Sequence, residues 1–174
     1  MLDIKKLLTK VLESLCTGWF YANSVTSTTM TATNTAKQVP ITNIHSDSRG
    51  FSYNSTNKGI TCNKAGQYMI SCSLSANPAA SGDLMGVAIY KNGVQSVGPE
   101  YTRVGGNYDI VVLPPSPITL AEGDVLTLYG KNNTSARGAF TACRFSAWQV
   151  VGGVVRKLLN TLKMLTLGRG WVYA

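Results

Sequence analysis

Ile118-Thr119-Leu120-Ala121-Glu122-Gly123-Asp124-Val125-Leu126-Thr127-Leu128 decides the fold. Apolar and polar side chains alternate up to a Glu-Gly-Asp turn and alternate again beyond it. Alternation with period two sends every second side chain to one face, so each half is a strand with a buried and a wet side. The same pattern stands earlier in Gly66-Gln67-Tyr68-Met69-Ile70 and in Val87-Ala88-Ile89-Tyr90-Lys91-Asn92-Gly93-Val94. In the latter, Asn92-Gly93 is the pair that accepts positive φ in a tight hairpin. Short strands at this spacing predict an all-β antiparallel sandwich and exclude a βαβ architecture. Folds of that kind bind or build more often than they catalyse, although fold alone does not assign function.

Working outward, Ser24–Thr33 and Val39–Ile44 read as a first and second strand, followed by a turn at Asp47-Ser48-Arg49-Gly50 and a brief strand at Phe51–Tyr53. Ile60–Cys62, Gln67–Ala76, Leu84–Tyr90, Tyr108–Leu113 and Val125–Gly130 continue the series. Pro114, Pro115 and Pro117 are expected to end the strand before them. Ala139–Val151 closes the domain, with Phe140, Ala142, Arg144, Ser146, Trp148 and Val150 on one face and Thr141, Cys143, Phe145, Ala147 and Gln149 on the other.

The flanks have another period. In Leu2–Leu15 the apolar residues form one helical stripe, and Ile4, Leu8, Val11 and Leu15 follow coiled-coil spacing. A helix this short is marginal alone in water and needs a partner surface. Gly152–Ala174 repeats the theme with Val155, Leu158, Leu159, Leu162 and Leu165. The predicted organisation is therefore a docking or trimerisation helix in 1–22, a sandwich in 23–151 and a basic amphipathic helix in 152–174.

The net charge of +8 belongs mainly to those ends. Residues 23–151 carry nine basic and six acidic side chains, whereas 152–174 carries Arg156, Lys157, Lys163 and Arg169 with no acid. The sandwich is thus not a nucleic-acid surface on charge grounds. Asp3, Lys5, Lys6, Lys10 and Glu13 interrupt the apolar residues at the start, which predicts no export signal. No run reaches the roughly 20 apolar residues that cross a bilayer.

Cys16, Cys62, Cys72 and Cys143 show no CxxC spacing and read as free thiols, with a Cys62–Cys72 disulfide left open. His45 is the one histidine and lies in a polar segment, so it reads as a loop or edge residue. No metal site, cofactor or nucleotide motif is expected, and HExxH, GxSxG, Walker and GxGxxG patterns are absent. The expected function is not enzymatic.

Phe51-x-Tyr53, Gly59-Ile60-Thr61-Cys62, Ala65-Gly66-Gln67-Tyr68, Ile89-Tyr90-Lys91-Asn92-Gly93, Leu120–Leu128 and Phe145-Ser146-Ala147-Trp148 occur in an order that resembles the jelly-roll superfamily of complement globular heads and tumour-necrosis-factor-like cytokines. The resemblance covers roughly Ser24 to Val151. It implies a ten-stranded TNF-like sandwich, a compact homotrimer, and binding through rims and outer loops. Tyr68, Tyr90, Phe145 and Trp148 become trimer-contact candidates, with core packing as the other role for the first three. A lysine-bearing leader before a jelly roll also looks like bacteriophage structural proteins of the fibre and tail class.

The expectation that follows is a virion protein, made in the host cytoplasm, that contacts a bacterial surface glycan or protein. Its longest polar connections, Asn77–Asp83, Gly98–Asn107 and Asn132–Gly138, would face the receptor. Tyr101, Arg103, Asn107, Tyr108, Asn132, Asn133 and Arg137 are the candidate contacts. The end helices would reach other virion proteins. Two alternatives stand beside this: a head-fibre or decoration subunit without a receptor, and membrane contact through the basic C-terminal helix.

Overall fold

The computed structural model describes residues 18–23, 25–106 and 109–150. The two predicted end helices, including Ile4, Leu8, Val11 and Leu15, lie outside these residues, as do Asn107 and Tyr108. The described residues form eleven strands: β1 Trp19–Ala22, β2 Thr28–Thr29, β3 Lys37–Gln38, β4 Phe51–Asn54, β5 Gly59–Cys62, β6 Gly66–Asn77, β7 Asp83–Lys91, β8 Val94–Val104, β9 Asp109–Leu120, β10 Val125–Asn132 and β11 Ala139–Gln149.

Their pairing is that of one long ribbon folded over. β7 and β8 form the hairpin tip; β6 pairs β9, β5 pairs β10 and β1 pairs β11, all antiparallel. Cross-pairings β6–β11 and β7–β10 close the ribbon into two sheets, ordered β1-β11-β6-β9 and β4-β5-β10-β7-β8, with β2 and β3 added on β11 and β10. That nesting is the topology of a jelly roll.

The core lies between the sheets. In β6 the inward set is Tyr68, Ile70, Cys72, Leu74 and Ala76, and the intervening side chains are only half-buried. Across from it stand Met85, Val87 and Ile89 of β7 and Leu126 and Leu128 of β10. Phe51 of the second sheet meets Phe20 and Tyr68 of the first, edge to face, at ring separations of 4.8 and 5.1 Å. Such pairs add about 0.5–1.5 kcal/mol beyond the area they bury. The Asn92-Gly93 hairpin is as the sequence reads, with φ of 52° and 80°.

Several expectations are corrected. Trp19–Ala22, assigned by pattern to the leader, is a strand, paired from Trp19↔Trp148 to Ala22↔Phe145. The Thr-rich first strand shrinks to Thr28–Thr29, because amides around it bond singly to Pro40 and Gly138 carbonyls. The second strand is Lys37–Gln38, and Ile41 makes only an isolated bridge to Val25. Prolines do not end β9. It is an edge strand, where a missing N–H costs no ladder bond, and a register shift opposite Ile70–Cys72 takes up Pro114 and Pro115. Gly98–Asn107 is largely not a loop: β8 runs through Gly98, whose φ of 81° sits in a register irregularity. In β11 a shift between Phe140 and Ala142 moves Phe140 to the inward face with Cys143, Phe145 and Ala147.

Candidate binding surface

Two surfaces stand out, one at the loop end of the sandwich and one on the outer face of the first sheet. At the loop end, 77–83 and 132–138 converge on Asp83. Its Oδ2 accepts from the backbone amides of Ala79 (3.0 Å) and Ala80 (3.3 Å), from Asn132 Nδ2 (3.0 Å) and from Ser135 Oγ (3.1 Å). Its Oδ1 accepts from the Thr134 hydroxyl at 3.0 Å. Burial pushes this carboxyl up, but the donors from Asn132, Thr134, Ala80 and Ala79 outweigh burial and hold it below the ordinary carboxylate value. Asn132 also donates to the Arg137 carbonyl at 2.8 Å, while its Oδ1 accepts the amides of Thr134 and Ser135.

The neighbouring strand is tied to the same node. Arg103 Nη1 donates to the Gly82 carbonyl at 3.0 Å, and Ser81 Oγ to the Gly105 carbonyl at 2.8 Å. Leu84 N bonds to Thr134 Oγ1, and Asn133 N to the Leu84 carbonyl. The loops are therefore held in one conformation by side chains whose acceptors are already filled. A carboxylate held below its ordinary value is ionised, and its Oδ2 is fully engaged by the loops' own donors while Oδ1 takes the Thr134 hydroxyl.

Among the predicted contacts, Arg103 and Arg137 are exposed here, and Tyr101 and Asn133 are half-buried beside them. Asn132 is not a receptor-facing residue. It is 0% exposed and acts as the keystone of the loop node. Sequence reading missed Asp83 as its partner, and the signal was present: an Asx residue at each loop, flanked by Ser and Thr able to satisfy it.

On the first sheet, the outward row Trp19–Trp148–Met69–Pro117 crosses four strands in register. Val112 and Ile110 continue it along β9, opposite Ser73 and Ser75. Trp148, Val112 and Ile110 are 43%, 49% and 58% exposed. Of the trimer-contact candidates only Trp148 lies in this row. Tyr68 and Phe145 are wholly buried in the chain's own core, so neither contacts another copy. Tyr68 donates to the Lys64 carbonyl at 2.7 Å, and burial pushes its hydroxyl up to about 12. Tyr90 lies on the other sheet, stacked on Tyr129.

Cys62, Cys72 and Cys143 are free and buried, so Cys62 and Cys72 form no disulfide. His45 is exposed beside Asp47. Among the described residues there is no cluster of metal-ligating side chains, and no helix is long and apolar enough to cross a membrane.

No protein-family model and no curated protein matches the sequence. Solved structures similar to the chain include Eiger TNF from S. frugiperda, at 10% identity and a TM-score of 0.47, covering 76% of this chain and 93% of that one. The globular domain of zebrafish complement 1qA gives 14% identity and 0.43, covering 76% and 97%. Murine APRIL gives 11% and 0.47, covering 76% and 99%. The jelly-roll assignment rests on the strand pairing itself.

Proposed function

We propose that this chain is a virion structural protein, a homotrimeric fibre or tail-tip module that presents its stapled loop end to a bacterial surface. The observation that carries the reading is the in-register apolar row Trp19–Trp148–Met69–Pro117 with Val112 and Ile110 on one sheet face. Exposed apolar side chains gathered on one sheet face mark an interaction site, here beside the exposed Arg144 and the serines of β6. Serines at 71, 73 and 75 in the adjoining strand are small enough to let another copy approach closely. Association through this face leaves the loops free. There, Arg103, Arg137 and Tyr101 sit on a scaffold that loses little conformational entropy on binding. The likeness of a lysine-bearing leader before a jelly roll to phage fibre proteins supports the virion setting. Binding rather than catalysis is the role in this reading, in which Asp83 serves to pin the loops through their own amides and hydroxyls.

Labelled full-length protein incubated with a panel of bacterial cells and isolated envelopes tests the proposal. Binding to some envelopes, lost on combining Arg103→Ala with Arg137→Ala, is the expected result. Binding to none, by a protein that is trimeric in solution, would replace the attachment role with that of a decoration subunit.

A further inference from the structure

The outer face of the second sheet carries an open cavity of about 490 Å³, lined by Gln38, Thr56, Asn57, Asn92, Thr127 and Tyr129, among others. We infer that this cavity is a binding subsite for an uncharged saccharide, with the Tyr129 ring as its platform and side-chain amides as its hydrogen-bonding groups.

Tyr129 is only half-buried, and its ring is stacked on Tyr90 with centroids 3.9 Å apart and planes 25° from parallel. β10 is flanked by β7, which supplies Tyr90, and by β3, which places Gln38 opposite Tyr129. One face of the ring is therefore taken up by Tyr90, and the ring also lines the cavity on the Gln38 side. A fixed, flat aromatic surface suits the C–H face of a pyranose, as an amphipathic ring with a polar edge does for apolar ligand faces generally.

The amides are fixed as well. Asn92 Nδ2 donates to Asp124 Oδ1 at 2.7 Å, and its Oδ1 accepts the Val125 amide at 2.8 Å. Each of these groups keeps one further hydrogen-bonding position. Gln38 Nε2 donates to the Asn57 carbonyl at 2.6 Å, which orients its Oε1 as an acceptor. The lining contains hydroxyls and amides but no carboxylate, ammonium or guanidinium. Paired donor and acceptor groups without charge match vicinal sugar hydroxyls and do not match a phosphate or a carboxylate ligand. A volume in the few-hundred-Å³ range with one aromatic wall and a few placed polar groups is that of a small-molecule site.

The two sheets pack face to face, so this surface points away from the apolar row of the first sheet and stays open in the proposed trimer. The inference rests on the attachment reading for where the saccharide comes from, and the site itself lies away from the loop end.

The test uses full-length protein and ligand-observed NMR with a defined panel. Its arms are neutral oligosaccharides of glucose, mannose, galactose and N-acetylglucosamine, and anionic ones bearing sialic or hexuronic acid. Saturation transfer to at least one neutral member is expected, weakened about tenfold by Tyr129→Ala and by Gln38→Ala, a change of about 1.4 kcal/mol. Gln38→Ala decides the matter if Tyr129→Ala fails to fold. No transfer to any neutral saccharide, transfer only to anionic ones, or affinity unchanged in a folded Gln38→Ala protein would overturn it. Cell binding that survives both substitutions but is lost with Arg103→Ala and Arg137→Ala keeps the attachment reading while removing this subsite.

Discussion

Asn132 and Asp83 are 49 residues apart in the chain, and they meet side by side under the loop end, Nδ2 to Oδ2 at 3.0 Å, each at most 5% exposed. Replacing Asn132 by Leu keeps the volume and deletes every polar contact of the amide. The carboxylate would then remain buried with one donor fewer, and the amides of Thr134 and Ser135 would lose their acceptor. An orphaned buried group costs about 1–3 kcal/mol, more when charged, so we expect a loss of about 3 kcal/mol in denaturant unfolding. Hydrogen exchange should rise in 77–83 and 132–138 together. A rise in only one loop would show that the node does not couple them.

Acid should weaken the fold through the same residue. Burial raises the carboxyls of Asp83 and Asp124, but hydrogen bonds, and Lys91 in the case of Asp124, bring both below the ordinary 3.8. A folded value below the unfolded one means the unfolded chain binds protons first as pH falls. Their stabilisation is therefore present above 3.8 and is lost as pH drops through the folded values. Denaturant midpoints measured from pH 6 down to 2 should fall below pH 3.8, and less steeply in Asp83→Asn. An equal slope in that variant would assign the acid sensitivity elsewhere.

Buried thiols give a third check. Burial pushes Cys143 up to about 12 and Cys72 well above its ordinary value, the latter with some help from Cys143 nearby. Since the thiolate is the reactive form, neither should alkylate in native protein at pH 8, and both should in denaturant. Rapid native modification of Cys72 or Cys143, located by mass spectrometry, would contradict the packing of the core.

Gly130 faces Phe140 so closely that a β-carbon there would overlap the ring. Gly130→Ala must displace a wholly buried aromatic, and overpacking of this kind costs about 1–3 kcal/mol. Unchanged stability would mean that β10 and β11 are less tightly apposed than described.

Much of the fold was legible because its strands carry their own instructions. Asn92-Gly93 and Glu122-Gly123-Asp124 mark their turns locally, and Gly66–Asn77 alternates through its full length. What escaped depends on partners remote in sequence. Pro114 and Pro115 read as stops, yet an edge strand has a side that needs no N–H. Gly98-Pro99 reads as a loop, yet a register irregularity lets β8 run through it. Thr141 read as one more step of alternation, but the shift beside it turns Phe140 inward. At the loop end, the exposure of Arg103 and Arg137 was legible because polar connections lie at the surface. Asn132 was misplaced because only the tertiary fold brings Asp83 beneath it. The row from Trp19 to Pro117 was half seen, through Trp148, since it exists only once β1, β11, β6 and β9 are set side by side.

Self-association through that row is the claim on which the rest turns, and the mass in solution tests it most directly. Light scattering on full-length protein should give three times 18.6 kDa, and Trp148→Glu combined with Ile110→Glu should give a folded chain at 18.6 kDa. A native protein that stays at the single-chain mass, or a double variant that remains three chains, would contradict the account.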